Sequence, residues 1–133
     1  MKYVLFILTA LVFSLKSIDA VSQITDKNYQ SAALYGIASF YGDDFHGKQT
    51  ASGQRFNMQL MTAACNVLPI GTMVIVINTR NNKFIVVRIN DRLNKNNPRI
   101  LDLSMEAAKK LDFIKQGLAP VRIEILSMGN GRK

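Results

Sequence analysis

The chain has 133 residues, of which 48% are hydrophobic and 20% are charged, and its formal net charge is +8. This length and composition predict one globular domain and exclude a disordered or fibrous protein. A single cysteine, Cys65, and a single histidine, His46, exclude an internal disulfide, a four-cysteine zinc site and a histidine pair for a metal. We therefore expect no metal and no cofactor.

The first twenty residues are predicted to be a secretory signal peptide. Lys2 precedes an apolar run over residues 4–13, and a more polar stretch then ends at Ala20. The run is shorter than the roughly 20 apolar residues that span a bilayer, and a buried core helix is the alternative. We expect an exported protein of the periplasm or cell envelope. No cysteine lies near the cleavage site, so we expect neither a lipoprotein nor a stable membrane anchor.

The charge of the predicted mature chain suggests its partner. Without residues 1–20, fifteen basic residues stand against eight acidic ones, a net charge of +7. A basic exported protein suits a polyanion such as cell-wall glycan with acidic stem peptides, and export argues against nucleic acid. The alternative is that the charge only aids solubility. We expect a monomer.

Short strands dominate the predicted secondary structure. Residues 21–33 are polar and are predicted to be a linker. Segments rich in aromatic and β-branched residues predict strands over 35–41, 72–79, 83–90, 100–103 and 120–126. The pair Asn81-Asn82 tolerates positive φ and fits a tight hairpin turn.

The remaining segments are predicted as loops and helix. Residues 42–53 form a long glycine-containing loop, and long ordered loops are often functional. Residues 58–64 are interpreted as a short helix followed by a strand. Ser104 is a good N-cap for a helix over 105–115, which would end before Gly117. Together these elements predict a small β-barrel with an α insertion over 34–127, followed by a basic tail over 128–133.

Several motifs in a fixed order carry a family resemblance. They are GIASFYG at 36–42, FHGKQTASG at 45–53, LMTAA at 60–64, LPIGT at 68–72, VVRINDR at 86–92 and RILDLS at 99–104. In this order, over about residues 34–126, the chain resembles the RlpA (rare lipoprotein A) family of bacterial envelope proteins. The resemblance implies a six-stranded double-psi β-barrel with one or two short helices, a fold shared with expansins. It also implies endolytic cleavage of peptidoglycan glycan strands, preferably without stem peptides, to 1,6-anhydro-N-acetylmuramic acid ends, in cell-wall organisation or cell separation.

Four departures from the family pattern keep a second class of function open. We expect neither the lipobox cysteine nor the C-terminal SPOR domain that many members carry. The family's Thr-Ala-Ala-His motif ends in Cys65, and a glutamate that often follows Ser-Gly is Gln54. Because a thiol cannot carry the positive charge of an imidazolium, the alternative is a non-catalytic peptidoglycan-binding or wall-loosening, expansin-like barrel. A secreted protein-interaction module is a third class.

Lytic cleavage needs only one carboxyl. It first protonates the glycosidic oxygen and then takes the proton of the muramic acid C6 hydroxyl, which attacks C1 in place of water. Hydrolytic glycosidases instead divide the work between two carboxyl groups. The single acid must hold a proton at the working pH, which apolar burial favours.

Asp91 is the predicted catalytic acid. Continuous strand periodicity from Lys83 would put it on one face with Ile85, Val87 and Ile89, beside an apolar wall. The neighbouring arginines oppose this effect, because a cation favours the carboxylate. The alternative is a turn in which Asp91 bonds to its own backbone.

The other predicted site residues surround this acid. Cys65, at the expected histidine position, is either core packing or a weak proton donor. Asp102, in an apolar run, is interpreted as paired with Arg92 or Arg99, or as part of the cleft. Residues 94–98 are a solvated loop or one basic lip of a groove. His46 is interpreted as a surface or loop-anchoring residue, and the alternative is that it takes over part of the role of the missing histidine across the cleft. The predicted substrate-binding residues are Tyr41, which would stack on a sugar, and Ser52, Gln54, Arg88, Arg92 and Asp102.

Overall fold

A computed structural model describes residues 33–132. The predicted signal peptide, the linker up to residue 32 and Lys133 lie outside the described residues. Six strands are formed: β1 (Ala33–Phe40), β2 (Thr62–Ala64), β3 (Met73–Asn78), β4 (Phe84–Asp91), β5 (Leu101–Leu103) and β6 (Ala119–Ser127). One α-helix, α1 (Met105–Lys110), and a 3₁₀ turn at Asp43–Phe45 complete the elements of the described chain.

The strands close into a barrel in the order β1-β5-β2-β4-β3-β6. The pairs β1–β5 and β2–β4 are parallel, and the other four pairs are antiparallel. The predicted six-stranded barrel is therefore confirmed. Closure leaves no unpaired sheet edge, because every strand is hydrogen-bonded on both sides.

Alternating side chains fill the barrel interior. Along β4, Ile85, Val87 and Ile89 are buried, whereas Phe84, Val86 and Arg88 are exposed. The same alternation on β3 and β6, together with side chains of α1, builds one main apolar core. A second, smaller cluster lies apart from it and contains Tyr41, Phe56, Ala64 and Leu93, with Met58 packed against them.

Two helix predictions are corrected by local hydrogen bonds. The predicted helix over 105–115 begins as expected, with Ser104 Oγ accepting from the Ala107 amide, but it ends at Lys110. Asp112 then takes a φ of 57°, which is left-handed and cannot continue the helix. The predicted short helix near residue 58 is wrong, because Asn57 Oδ1 accepts from the Gln59 amide at 2.9 Å and holds a turn. The Asn81-Asn82 turn is formed as predicted, with Asn82 at a φ of 60°.

The segment after β6 lies against the barrel. The Gly129 amide donates to Thr72 Oγ1 at 3.0 Å, and the Gly131 amide donates to the Ile70 carbonyl at 3.1 Å. A Cβ on Gly129 would lie 2.1 Å from the Ile70 oxygen, so only glycine fits this close approach. The predicted basic tail is thus held in place up to Arg132. No helix among residues 33–132 is long and apolar enough to cross a membrane.

Candidate functional site

A β-bulge positions the predicted catalytic acid. Ala63 on β2 lies opposite Ile89, but the next residue, Ala64, lies opposite Asp91, which leaves Asn90 as the extra residue. The bulge breaks the two-residue period of β4, so Asn90 is buried and Asp91 is only partly buried. The prediction that Asp91 shares a face with Ile89 is therefore wrong. Asp91 instead lies opposite Ala64, which belongs to the smaller cluster.

Three donors hold the Asp91 carboxyl group. Oδ1 accepts from the backbone amides of Ala51 and Arg92, both at 2.8 Å. Oδ2 accepts from the Tyr41 hydroxyl at 2.5 Å. The bond to Arg92 is the local turn contact that the sequence offered as the alternative. The contact with Ala51, forty residues away, fixes the carboxyl group to the 42–53 loop, and Oδ2 keeps a lone pair for a further partner.

Tyr41 positions Asp91 and does not form a sugar platform. Its ring is 8% exposed and packs against Phe56 and Phe45, with centroid distances of 4.4 Å and 5.5 Å. Burial, the hydrogen bond to Asp91 and the charges of Asp91 and Asp102 raise the pKa of Tyr41 above its usual range. The hydroxyl thus remains a donor at neutral pH. The predicted stacking of Tyr41 on a sugar is not compatible with a buried ring.

Asp102 lies on the other side of Ala64 from Asp91. Ala64 pairs with Asp91 on β4 and with Asp102 on β5. Ser39 donates to Asp102 Oδ1 at 3.1 Å, and among residues 33–132 no arginine forms an ion pair with Asp102. Burial raises the pKa of Asp102, and the Asp91 charge acts in the same direction, whereas the Ser39 hydrogen bond and the Arg99 charge lower it. The predicted arginine pairing is corrected to a serine hydrogen bond.

Three predicted substrate-binding residues line one small cleft. Ser52, Gln54 and Arg88 surround a space of about 70 Å³, together with Ile70, Asn90 and Arg132. The Ser52 amide donates to the Asn90 carbonyl at 3.1 Å. This contact lies next to the one between the Ala51 amide and Asp91. Two of the lining residues, Ser52 and Asn90, are thus the sequence neighbours of Ala51 and Asp91.

Cys65 and Arg92 are used structurally. The Cys65 side chain is fully buried in the main core, and its amide donates to the Asp91 carbonyl at 3.0 Å. This burial fits the packing interpretation of Cys65. Arg92 Nη1 donates to the carbonyls of Cys65 and Leu68, so it fastens the chain after β2. These contacts are structural, so substrate binding by Arg92 and catalysis by Cys65 stay predictions.

Two loops carry the remaining predicted residues, the loop of His46 and the loop over 94–98. His46 is exposed, and its Nδ1 accepts from the Met58 amide at 3.2 Å, which matches the predicted loop anchor. Asn94, Asn96, Asn97, Pro98 and Arg99 line an open depression of about 390 Å³. No group of three or more metal-ligating side chains occurs among residues 33–132.

Sequence reasoning missed Asn90, Arg132 and Ser39. Asn90 was read as part of a regular strand, because a bulge leaves no signal in the two-residue period. Arg132 comes from the segment predicted as a basic tail, and Gly129 is the signal in the sequence that this tail lies close to other backbone. Ser39 is one of many exposed-looking serines, and only the parallel pairing of β1 with β5 brings it opposite Asp102.

Comparison with known proteins agrees with this fold. A sequence profile described as lytic transglycolase matches residues 33–123. The probable endolytic peptidoglycan transglycosylase RlpA of Nostoc sp. is 57% identical over 96 residues, which cover 71% of this chain and 26% of that protein. Endolytic peptidoglycan transglycosylase RlpA of Campylobacter jejuni is 47% identical over 95 residues, 71% of this chain and 34% of its own length. The match thus spans between about a quarter and a third of the length of these two relatives.

Solved structures support the fold alone. The Streptomyces papain inhibitor has a TM-score of 0.58 at 20% identity, covering 71% of this chain and 94% of that chain. The apo expansin of Clavibacter michiganensis has a TM-score of 0.57 at 20% identity, covering 74% and 52%. A barrel of this shape thus occurs in an inhibitor as well as an expansin, so function must be argued from the site.

Proposed function

Because the chain belongs to the lytic transglycolase family of double-psi β-barrels, we propose that it cleaves peptidoglycan glycan strands. The proposed products end in 1,6-anhydro-N-acetylmuramic acid. The observation that carries the proposal is the Asp91 carboxyl group, which is held by three donors beside a polar cleft. The relatives named above as endolytic peptidoglycan transglycosylases support the same substrate.

The proposed reaction replaces the bond from C1 to the glycosidic oxygen with a bond from C1 to the C6 oxygen, and Asp91 carries the proton between the two oxygens. Asp91 Oδ2 gives its proton to the glycosidic oxygen as the bond from that oxygen to C1 breaks. The C6 hydroxyl oxygen of the same muramic acid then bonds to C1, and its proton returns to Asp91. Atoms balance without water or a cofactor, and the acid ends the cycle protonated. General acid–base transfer of this kind contributes typically 10²–10⁴-fold to a rate.

The surrounding side chains support this role for Asp91. The Tyr41 hydroxyl and two backbone amides orient the carboxyl group, so little rotational freedom is lost when substrate binds. Asp102 lies across Ala64 from Asp91, where Ser39 holds its carboxyl group by a hydrogen bond. The surroundings of Asp91 are therefore a phenol, two backbone amides and a second carboxyl group across Ala64, rather than the predicted apolar wall of strand residues.

The cellular setting is part of the proposal. A chain that acts on peptidoglycan must be exported to the periplasm or cell envelope, which agrees with the signal peptide predicted from residues 1–20. The glycan strand is its proposed partner, in cell-wall organisation or cell separation. We expect it to act as a monomer.

A second candidate function is a barrel that binds peptidoglycan without cutting it. The observation that favours it is Cys65, which lies buried in the core at the position where the family resemblance expects a histidine. The two functions are separated by incubating purified sacculi with the protein and analysing released material by mass spectrometry. Release of anhydro-ended fragments supports cleavage, whereas sedimentation of the protein with sacculi and no release supports binding alone.

A further inference from the structure

Two cations converge on the cleft beside Asp91. Arg88 projects from the exposed face of β4, and Arg132 arrives from the segment that Gly129 and Gly131 fasten to the barrel. None of the ion pairs among residues 33–132 involves either arginine. Both arginines are exposed where they line the cleft, so their positive charges are available to an anion that enters it.

A buried amide in the same cleft has an unused acceptor. Asn90 is 4% exposed, and its Nδ2 donates to Gln54 Oε1 at 3.3 Å. Its Oδ1 has no hydrogen-bond partner within the described part of the chain. A buried acceptor without a partner costs roughly 1–3 kcal/mol. An N–H donor on a bound molecule would remove this cost.

The size of the cleft limits what it holds. Pockets that enclose whole small molecules measure about 300–1,000 Å³, whereas this cleft measures about 70 Å³. It has room for a carboxylate and a few neighbouring atoms rather than for a disaccharide. The sugar ring itself must then lie outside the cleft.

We propose that this cleft is a carboxylate subsite, in which Arg88 and Arg132 bind an acidic substituent of the glycan strand and Asn90 receives its amide N–H. The inference rests on the proposed function for the choice of glycan. N-acetylmuramic acid carries an acetamido group and a lactyl carboxylate on adjacent ring carbons, and so offers both groups at once. A stem peptide is the other source of a carboxylate on the same strand.

The test measures binding to monosaccharides, which contain no glycosidic bond between sugars to cleave. The probes are N-acetylmuramic acid, its methyl ester and muramyl dipeptide, titrated by NMR against the wild-type chain. We expect the free acid to bind at least about tenfold more tightly than the ester, because charge-assisted bonds from two arginines are lost with the charge. Muramyl dipeptide has its lactyl carboxyl in an amide bond, so its affinity relative to the free acid assigns the carboxylate to the lactyl group or to the peptide.

Variants identify the residues. Arg132→Gln and Arg88→Gln should each weaken binding of the free acid about tenfold, whereas Lys115→Gln, an exposed charge change away from the cleft, should leave it unchanged. Gly129→Ala should reproduce the effect of Arg132→Gln, because its Cβ would collide with the Ile70 oxygen and displace the tail. Melting curves of each variant confirm that the barrel is folded.

The outcomes separate the subsite from the cleavage proposal. Equal affinity for acid and ester, undiminished binding by both arginine variants, or no saturable binding of any probe would overturn the subsite. Sacculus digestion is run in parallel. Cleavage without charge-dependent binding would refute the subsite alone. Charge-dependent binding without cleavage would refute the proposed enzyme activity alone.

Discussion

Removal of the Tyr41 hydroxyl tests how Asp91 is oriented. Tyr41→Phe retains a ring that packs against Phe56 at 4.4 Å but loses the 2.5 Å hydrogen bond to Asp91 Oδ2. Because Asp91 is the neutral acid at the start of the proposed reaction, the hydrogen bond contributes about 0.5–1.5 kcal/mol, and each 1.4 kcal/mol is a factor of ten. We therefore expect kcat/KM on peptide-free glycan strands to fall about 2–10-fold, measured from anhydro-ended products by mass spectrometry.

The stability of the variant separates orientation from folding. Oδ1 keeps both backbone donors, so the free energy of unfolding in urea should fall by only about 1–2 kcal/mol. Tyr35→Phe is the matched control, because Tyr35 is 69% exposed and its hydroxyl has no hydrogen bond in the described chain. Wild-type activity in Tyr41→Phe, or an equal loss in Tyr35→Phe, would refute the reasoning.

Three further predictions follow from burial and charge. Since the pKa of Asp102 is raised in the folded state, its contribution to stability is present at low pH and is lost as pH rises above the ordinary aspartate value of about 3.9. The free energy of unfolding in urea should therefore fall less steeply with rising pH in Asp102→Asn than in the wild type. Parallel pH dependences of the two proteins would contradict the burial of Asp102. Cys65 should react with a thiol reagent only after unfolding, because it is 0% exposed, and rapid labelling of the native protein would disprove core packing. Cys65→Ala should lower the free energy of unfolding by about 1 kcal/mol in urea, and an unchanged midpoint would contradict tight packing there.

The strands and their closure were predictable from local pattern and family motifs. The alternation of Val121, Ile123 and Arg122 on β6 gives the inward and outward faces directly, and Val121 and Ile123 are buried as that pattern predicts. Helix length was less predictable, because the left-handed conformation of Asp112 depends on packing after the helix and not on helix propensity.

The sequence predicted which of these residues lie together better than it predicted how they are arranged. Ser52, Gln54 and Arg88 do meet in one cleft, because the motifs that carry them are brought together by the barrel. The surroundings of Asp91 could not be predicted, since a bulge at Asn90 reverses every orientation beyond it.

The role of Tyr41 was also hidden. An aromatic residue beside a loop can face a sugar or pack inward, and only tertiary contacts distinguish the two. The docked tail that carries Arg132 likewise depends on contacts with Ile70 and Thr72, for which the sequence offers Gly129 as a signal but no partner.

The most direct measurement compares wild type and Asp91→Asn on purified sacculi, with soluble products identified by mass spectrometry. Asparagine keeps the size of the side chain and an acceptor oxygen for the backbone donors, but it cannot exchange a proton with the glycan. The wild-type chain should release 1,6-anhydro-N-acetylmuramic acid ends and the variant should release none while still sedimenting with sacculi. Release of the same products by a folded Asp91→Asn variant would contradict the account.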